Sequence, residues 1–257
     1  MKKRVWLTML DKDEPRAQRL YQTVTQYGME ADGHFWVDDL EKMAWSGPLQ
    51  TMSESGTGMW LIAGQNDSLA RPETLYGLSM LALALQGRRD LGLPIVVHIP
   101  QSDEPLILPT PLAGAELLDQ EAGLGPKLTA RVHMPVPEKE LEYRLTVHPL
   151  PGLGQWMELG PPPGREWAGA MLGLDQGQIT AHGVGPAGRV PQKTILEYQM
   201  QGMTLESGDQ KYTAWAVHNA LSASDSYYVQ VQGMPRSLLF GPLPEADTAE
   251  LYRLQLV

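Results

Sequence analysis

"MWLIAGQNDSLARPETLYGLSMLALALQGRRDLGLPIVVHI", residues 59–99, carries the pattern on which the fold turns. Two continuous apolar runs, 59–64 and 93–99, flank a segment that opens at Pro72 and keeps Leu75, Leu78, Ala82 and Leu85 at helical spacing as far as Gly87. Runs without polar alternation predict strands covered on both faces of a sheet. Proline in the first turn and glycine past the last one mark the two ends of a helix. Strand, helix and strand in this order predict a right-handed crossover between parallel neighbours.

The same alternation extends upstream. "RVWLTML" (4–10) reads as a buried strand, and "DEPRAQRLYQTVTQYG" (13–28) as a helix with Leu20, Val24 and Tyr27 on one face and Gly28 as its stop. "GHFWVDD" (33–39) reads as a second strand, and 40–55 as a weak helical region broken by Gly47-Pro48. Residues 1–100 are therefore expected to form an α/β domain with a parallel sheet. Residues 101–126, rich in proline and glycine, read as a connection with one helical turn around Ala113–Glu121. From Lys127 the pattern changes to period-2 runs parted by turns such as Pro151-Gly152, Gly160-Pro161, Gly208-Asp209 and Gly241-Pro242. The runs begin at "KLTARVHM" (127–134) and end at "ELYRLQLV" (250–257), which predicts an antiparallel, β-sandwich-like domain over 127–257. The expected class is thus α/β followed by β.

Composition narrows the function. The formal charge of −10 and the lack of any basic run longer than Lys2-Lys3-Arg4 argue against nucleic acid, whose binding needs clustered Lys and Arg. No cysteine is present, which removes disulfides, thiolate metal sites and thiol nucleophiles. The apolar stretch Val5–Leu10 is too short for a signal peptide, and no segment approaches the roughly 20 apolar residues of a membrane span. A cytoplasmic protein without membrane contact is expected.

In an open parallel sheet, ligands sit at the carboxyl ends of the strands. That rim should carry Asp11 and Asp13 after the first strand, Asp38 and Asp39 after the second, and Gln65–Arg71 after the third. His98 and Gln101–Asp103 follow the fourth. The ligand-binding candidates are Asp11, Asp38, Asp67, Ser68 and Arg71. Against a ligand stands a local reading, in which Asp67 or Ser68 caps the helix from Pro72. Neither GxGxxG nor GxxxxGK[ST] follows the first strand, and Gly64-Gln65 ends the third where a receiver domain carries its phosphorylated Asp. The six histidines are scattered singly without a metal-binding spacing, and no GxSxG elbow is present. The seven Trp and 13 Met are read mostly as core filling, with Trp45, Trp156 or Trp167, if exposed, as candidate partner anchors.

The series "RVWLTML", "GHFWVDD", "MWLIAGQNDSLARPETLYGLSMLALALQ" and "LPIVVHI" resembles a Toll/interleukin-1 receptor (TIR) domain over about residues 4–100; a flavodoxin-like domain shares the pattern. Enzymatic members of the TIR family cleave NAD with a Glu early on the helix after the third strand. The resemblance implies Glu73 as that catalytic residue, Ser68 as the loop serine, and NAD or a related nucleotide as the ligand. A carboxylate in a first turn also complements the helix dipole on any helix. The expected function is that of an interaction or regulatory protein whose two domains bind protein partners or a second copy. The alternative is a NAD-hydrolysing or nucleotide-sensing enzyme using Glu73.

Overall fold

The structure, a computed structural model, describes residues 2–89, 92–99, 106–134, 142–244 and 250–257. Two compact units are resolved, Met1–Glu138 and Lys139–Val257.

The first unit is built on five parallel strands: β1 (Arg4–Met9), β2 (Glu30–Phe35), β3 (Thr57–Ala63), β4 (Ile95–His98) and β5 (Glu116–Leu118). Their spatial order, β2-β1-β3-β4-β5, is that of a doubly wound, flavodoxin-like sheet. Helix α1 (Glu14–Gln26) is capped by Asp13, whose carboxylate accepts from the Arg16 N–H at 2.9 Å. Its Leu20 and Val24 pack on Val5, Leu7, Met9, Met59, Leu61 and Val96, the core of one sheet face.

The other face holds α4 (Pro72–Gln86), buried continuously from Thr74 to Leu85. A helix apolar all round needs cover on both sides. Besides the sheet, short elements pack against it: a 3-10 turn (Ala44–Ser46), α2 (Leu49–Ser53) and a second 3-10 turn (Thr110–Leu112). Gly77 is where Trp36 and Trp45 press on α4, and a Cβ there would stand 2.7 Å from the Trp36 ring. Trp45, a partner anchor only if exposed, is buried and fills core, as expected of most of the tryptophans.

Two segments differ from the sequence reading. Residues 116–118 add a fifth strand, too short to show a period of its own. Residues 127–134, read as a strand, lie in helix α5 (Leu124–His133) and its C-cap. Leu128, Ala130 and Val132 alternate like a strand, but Leu124, Leu128 and Val132 form a longer stripe at i, i+4 and i+8, all buried against the α1 face of the sheet. Gly125 lets α5 approach α1, since a Cβ would fall 2.2 Å from the Tyr27 ring. The candidates Gln101–Asp103 lie outside the described residues.

The second unit has two antiparallel sheets. One is β6 (Arg144–Leu150), β7 (Gly154–Gly160), β12 (Asp225–Gln232) and β9 (Gln178–Pro186), in that order. The other is β10 (Met200–Ser207), β11 (Gln210–Val217), β8 (Ala170–Leu174), β13 (Ser237–Pro242) and β14 (Tyr252–Gln255). Alternation places Leu145, Val147, Met157, Leu159, Tyr227 and Val229 on one buried face of the first sheet. Strand β10 joins the ladder at Met200. Ile195 and Tyr198, more than four-fifths exposed, precede it. Trp167 is likewise buried and bridges to Leu221, whereas Trp156 is half-buried. No described helix is long and apolar enough to cross a membrane.

Candidate functional site

In the order β2-β1-β3-β4-β5 the chain leaves β1 toward α1 on one face and β3 toward α4 on the other. The crevice of such a sheet opens between those two carboxyl ends. Four candidate residues meet there. Ser68 lies in α3 (Asn66–Leu69), a single turn into which the loop after β3 folds. Asp11 accepts the Gln65 N–H at Oδ2 (2.7 Å) and the Ser68 hydroxyl at Oδ1. The Arg71 guanidinium donates to Ser68 Oγ at 2.9 Å and to Asp38 Oδ2 at 3.4 Å. Asp38 also accepts from Thr74 Oγ1 at 3.0 Å and from Trp36 Nε1 at 2.6 Å. Asp11, Ser68, Arg71 and Asp38 thus form one continuous chain that ties the loops after β1, β2 and β3 together. Gly64 permits the close approach, because a Cβ there would meet Leu10 Cβ at 2.6 Å.

Asp67 and Glu73 stand outside this chain. Both are exposed, and among the described residues neither side chain makes a hydrogen bond or ion pair. The helix-cap reading is corrected as well. No side chain caps α3 or α4, whose caps are Gln65 and Arg71. Ser68 sits inside a helical turn and is taken by Asp11, and Pro72 at the start of α4 removes one of the N–H groups a cap would serve.

Two further groups line the rim. Arg16, buried, donates to the carbonyls of Gly64 (2.9 Å) and His98 (3.2 Å), closing the ends of β3 and β4. His98, at 1 % exposure, has Nδ1 2.9 Å from Leu118 O, while Nε2 is buried without a partner among the described residues. Burial holds the imidazole below its ordinary basicity, helped by the Arg16 charge, against the Leu118 hydrogen bond and the pull of Glu121 and Asp119. Among the described residues no group of three or more His, Asp or Glu is placed to hold a metal ion.

Sequence reasoning missed a second polar cluster, in the β-rich unit. Glu158 on β7, 3 % exposed, lies on the sheet face opposite Met157 and Leu159. It accepts from His148 Nε2 (2.6 Å), Ser226 Oγ (2.7 Å) and the Gly188 N–H (2.7 Å). Arg144 stands 3.5 Å away and spans to Ser226 Oγ and the Asp225 carbonyl over Gly160, where a Cβ would strike it at 2.6 Å. Burial alone would raise the Glu158 carboxyl, but the bonds from His148, Gly188 and Ser226 outweigh it and hold the group below the usual carboxylate range. Gly188 and Arg189, which donates to Tyr228 OH at 3.1 Å, thereby hold the loop after β9 to this face. The residues are far apart in sequence, and only the strand register brings them together. Every polar atom named here on Glu158, Arg144 and Ser226 is engaged within the cluster, which makes it a clamp rather than an open site.

No protein-family model matches the chain, and no curated protein shows significant similarity to it.

Proposed function

We propose that the chain is an interaction or regulatory protein whose α/β and β-rich units bind protein partners. The observation that carries this reading is the Asp11–Ser68–Arg71–Asp38 chain at the crevice. A crevice built for chemistry keeps donors and acceptors aimed at a substrate. Here the same side chains are satisfied by one another and hold three loops in place. Glu73, the carboxylate the TIR resemblance points to, is exposed and has no partner among the described residues that would orient it. Within the flavodoxin-like class, we read the unit as a TIR-like one that binds partners rather than one that cleaves NAD.

The test incubates the purified chain and its Glu73→Gln variant with NAD and follows nicotinamide. No release is expected from either. Release by the native chain that disappears in a folded Glu73→Gln variant replaces this reading with a NAD glycohydrolase.

A further inference from the structure

We propose that the open edge of β2 is a docking site for an extended, basic segment of a partner protein, which pairs with β2 and lays alternate side chains into the cleft beneath α1. The proposal rests on the reading of the chain as an interaction protein and names the surface and the partner's chemistry.

Among the described residues, strand β2 ends the sheet, with β1 as its one neighbour. The Glu30 N–H donates to the Lys3 carbonyl at 3.0 Å and the Trp36 N–H to the Met9 carbonyl at 2.7 Å. The two-residue repeat of a strand then turns the backbone groups of Ala31, Gly33 and Phe35 away from β1. Gly33 agrees with this, since its N–H points away from β1 and donates to the Asp32 carboxylate at 2.8 Å, a bond that an added strand would replace. An outward row of N–H and C=O groups is a template for an added strand, and extended peptides are recognised in this way.

Beside that edge lies a cleft of about 460 Å³, floored by Leu7, Met9, Ala31 and Phe35 and walled by Ala17 and Tyr21 of α1. Tyr21 is half exposed. A strand paired with β2 would run about 4.8 Å beyond it, and every second side chain would face the α1 side of the sheet, where the cleft lies. Hydrogen bonds along the edge and apolar pockets beside it are the two components of strand addition.

Charge selects the occupant. Glu30 and Asp32 are exposed and unpaired by any basic group among the described residues, no Lys or Arg lines the cleft, and the whole chain carries −10. A segment alternating basic and apolar residues answers both the carboxylates and the floor. A second copy joined β2 to β2 would instead crowd Glu30 and Asp32 of both protomers onto one short ribbon.

The experiment uses the full-length, ¹⁵N-labelled chain and two synthetic capped peptides, Lys-Val-Lys-Val-Lys-Val-Lys and its counterpart with Glu for Lys. The basic peptide is expected to shift the amides of Ala31, Gly33 and Phe35. It should bind about tenfold or more tightly than the acidic one at low salt, with the gap closing as salt rises. Ala31→Pro removes an outward N–H and leaves the bonds to β1 intact, so it should abolish binding while the remaining amide spectrum is kept. Asp32→Lys should reverse the preference between the peptides. Shifts confined to other residues, equal binding of both peptides, or undiminished binding by Ala31→Pro would overturn the proposal. So would a native dimer that Ala31→Pro makes monomeric, which would assign the edge to a second copy. Failure with the peptides removes this docking edge alone, whereas nicotinamide release in the NAD assay removes the interaction reading itself.

Discussion

Acidification from pH 7 to pH 4 should loosen the α/β unit through one histidine. His34, on β2, is held between the rings of Trp6 and Trp36, with centroids 5.7 and 6.0 Å away. Its Nδ1 accepts the Trp6 indole N–H at 3.0 Å, so Nδ1 must be unprotonated in the native state. Burial pushes its pKa from 6.5 down to about 4, against the pull of Asp32. Between those values the unfolded chain binds a proton that the folded chain does not, so stability falls as pH drops through this window. The contribution is fully present above 6.5 and is lost by about 4. At about 1.4 kcal/mol for each tenfold, the loss reaches about 3 kcal/mol. The assay is the His34 ring resonance followed by NMR, with urea unfolding of the native chain and His34→Gln at several pH values. Glutamine keeps an acceptor for Trp6 and does not titrate, so the variant should lose less stability on acidification. A His34 midpoint near 6.5, or equal pH slopes for the two proteins, would refute the reasoning.

Other consequences follow from the packing and the two polar clusters. Glu158→Gln removes a buried charge that Arg144, His148, Ser226 and Gly188 all address. It should cost the β-rich unit about 3 kcal/mol in urea unfolding, and a loss under 1 kcal/mol would contradict the clamp. Because the Glu158 carboxyl is depressed by these bonds, its contribution is present above the ordinary carboxylate range and lost as pH falls through the native value. Native-chain stability should therefore fall further than that of Glu158→Gln in acid. Ser68→Ala takes a partner from both Asp11 and Arg71 and should lower the melting stability of the α/β unit by about 1–2 kcal/mol; no change would mean the loops are held by something else. Leu128→Ala opens a cavity under α5 and should cost about 2–4 kcal/mol. Hydrogen exchange should place that loss in the α/β unit, and a loss confined to the β-rich unit would contradict the packing of α5.

How far the fold could be read depended on the length of each pattern. Helix α4 was legible because its apolar residues, Pro72 and Gly87 agree on one element. The strands β1, β3 and β4 were legible because both faces of a parallel sheet are covered. Strand β5 was not, since three residues with Leu117 half exposed and Leu118 buried carry no period. Helix α5 was misread because a window opening at Lys127 omits Leu124, the residue that turns an alternation into a helical stripe. At the candidate site, topology put Asp11, Asp38, Ser68 and Arg71 on one rim, which the strand order alone implies. Whether they bond to one another or to a ligand depends on side-chain directions that sequence spacing does not carry. Glu158 was invisible for a related reason: His148, Gly188 and Ser226 reach it through the register of β6, β7 and β12 and through a loop.

The central claim is that Asp11, Ser68, Arg71 and Asp38, at the crevice of the parallel sheet, are spent on one another and hold no nucleotide. Mass spectrometry of the native chain, denatured directly after purification, tests it most directly. The account predicts no nucleotide released in proportion to protein. A stoichiometric NAD or other nucleotide, lost from Ser68→Ala and Arg71→Ala, would contradict it.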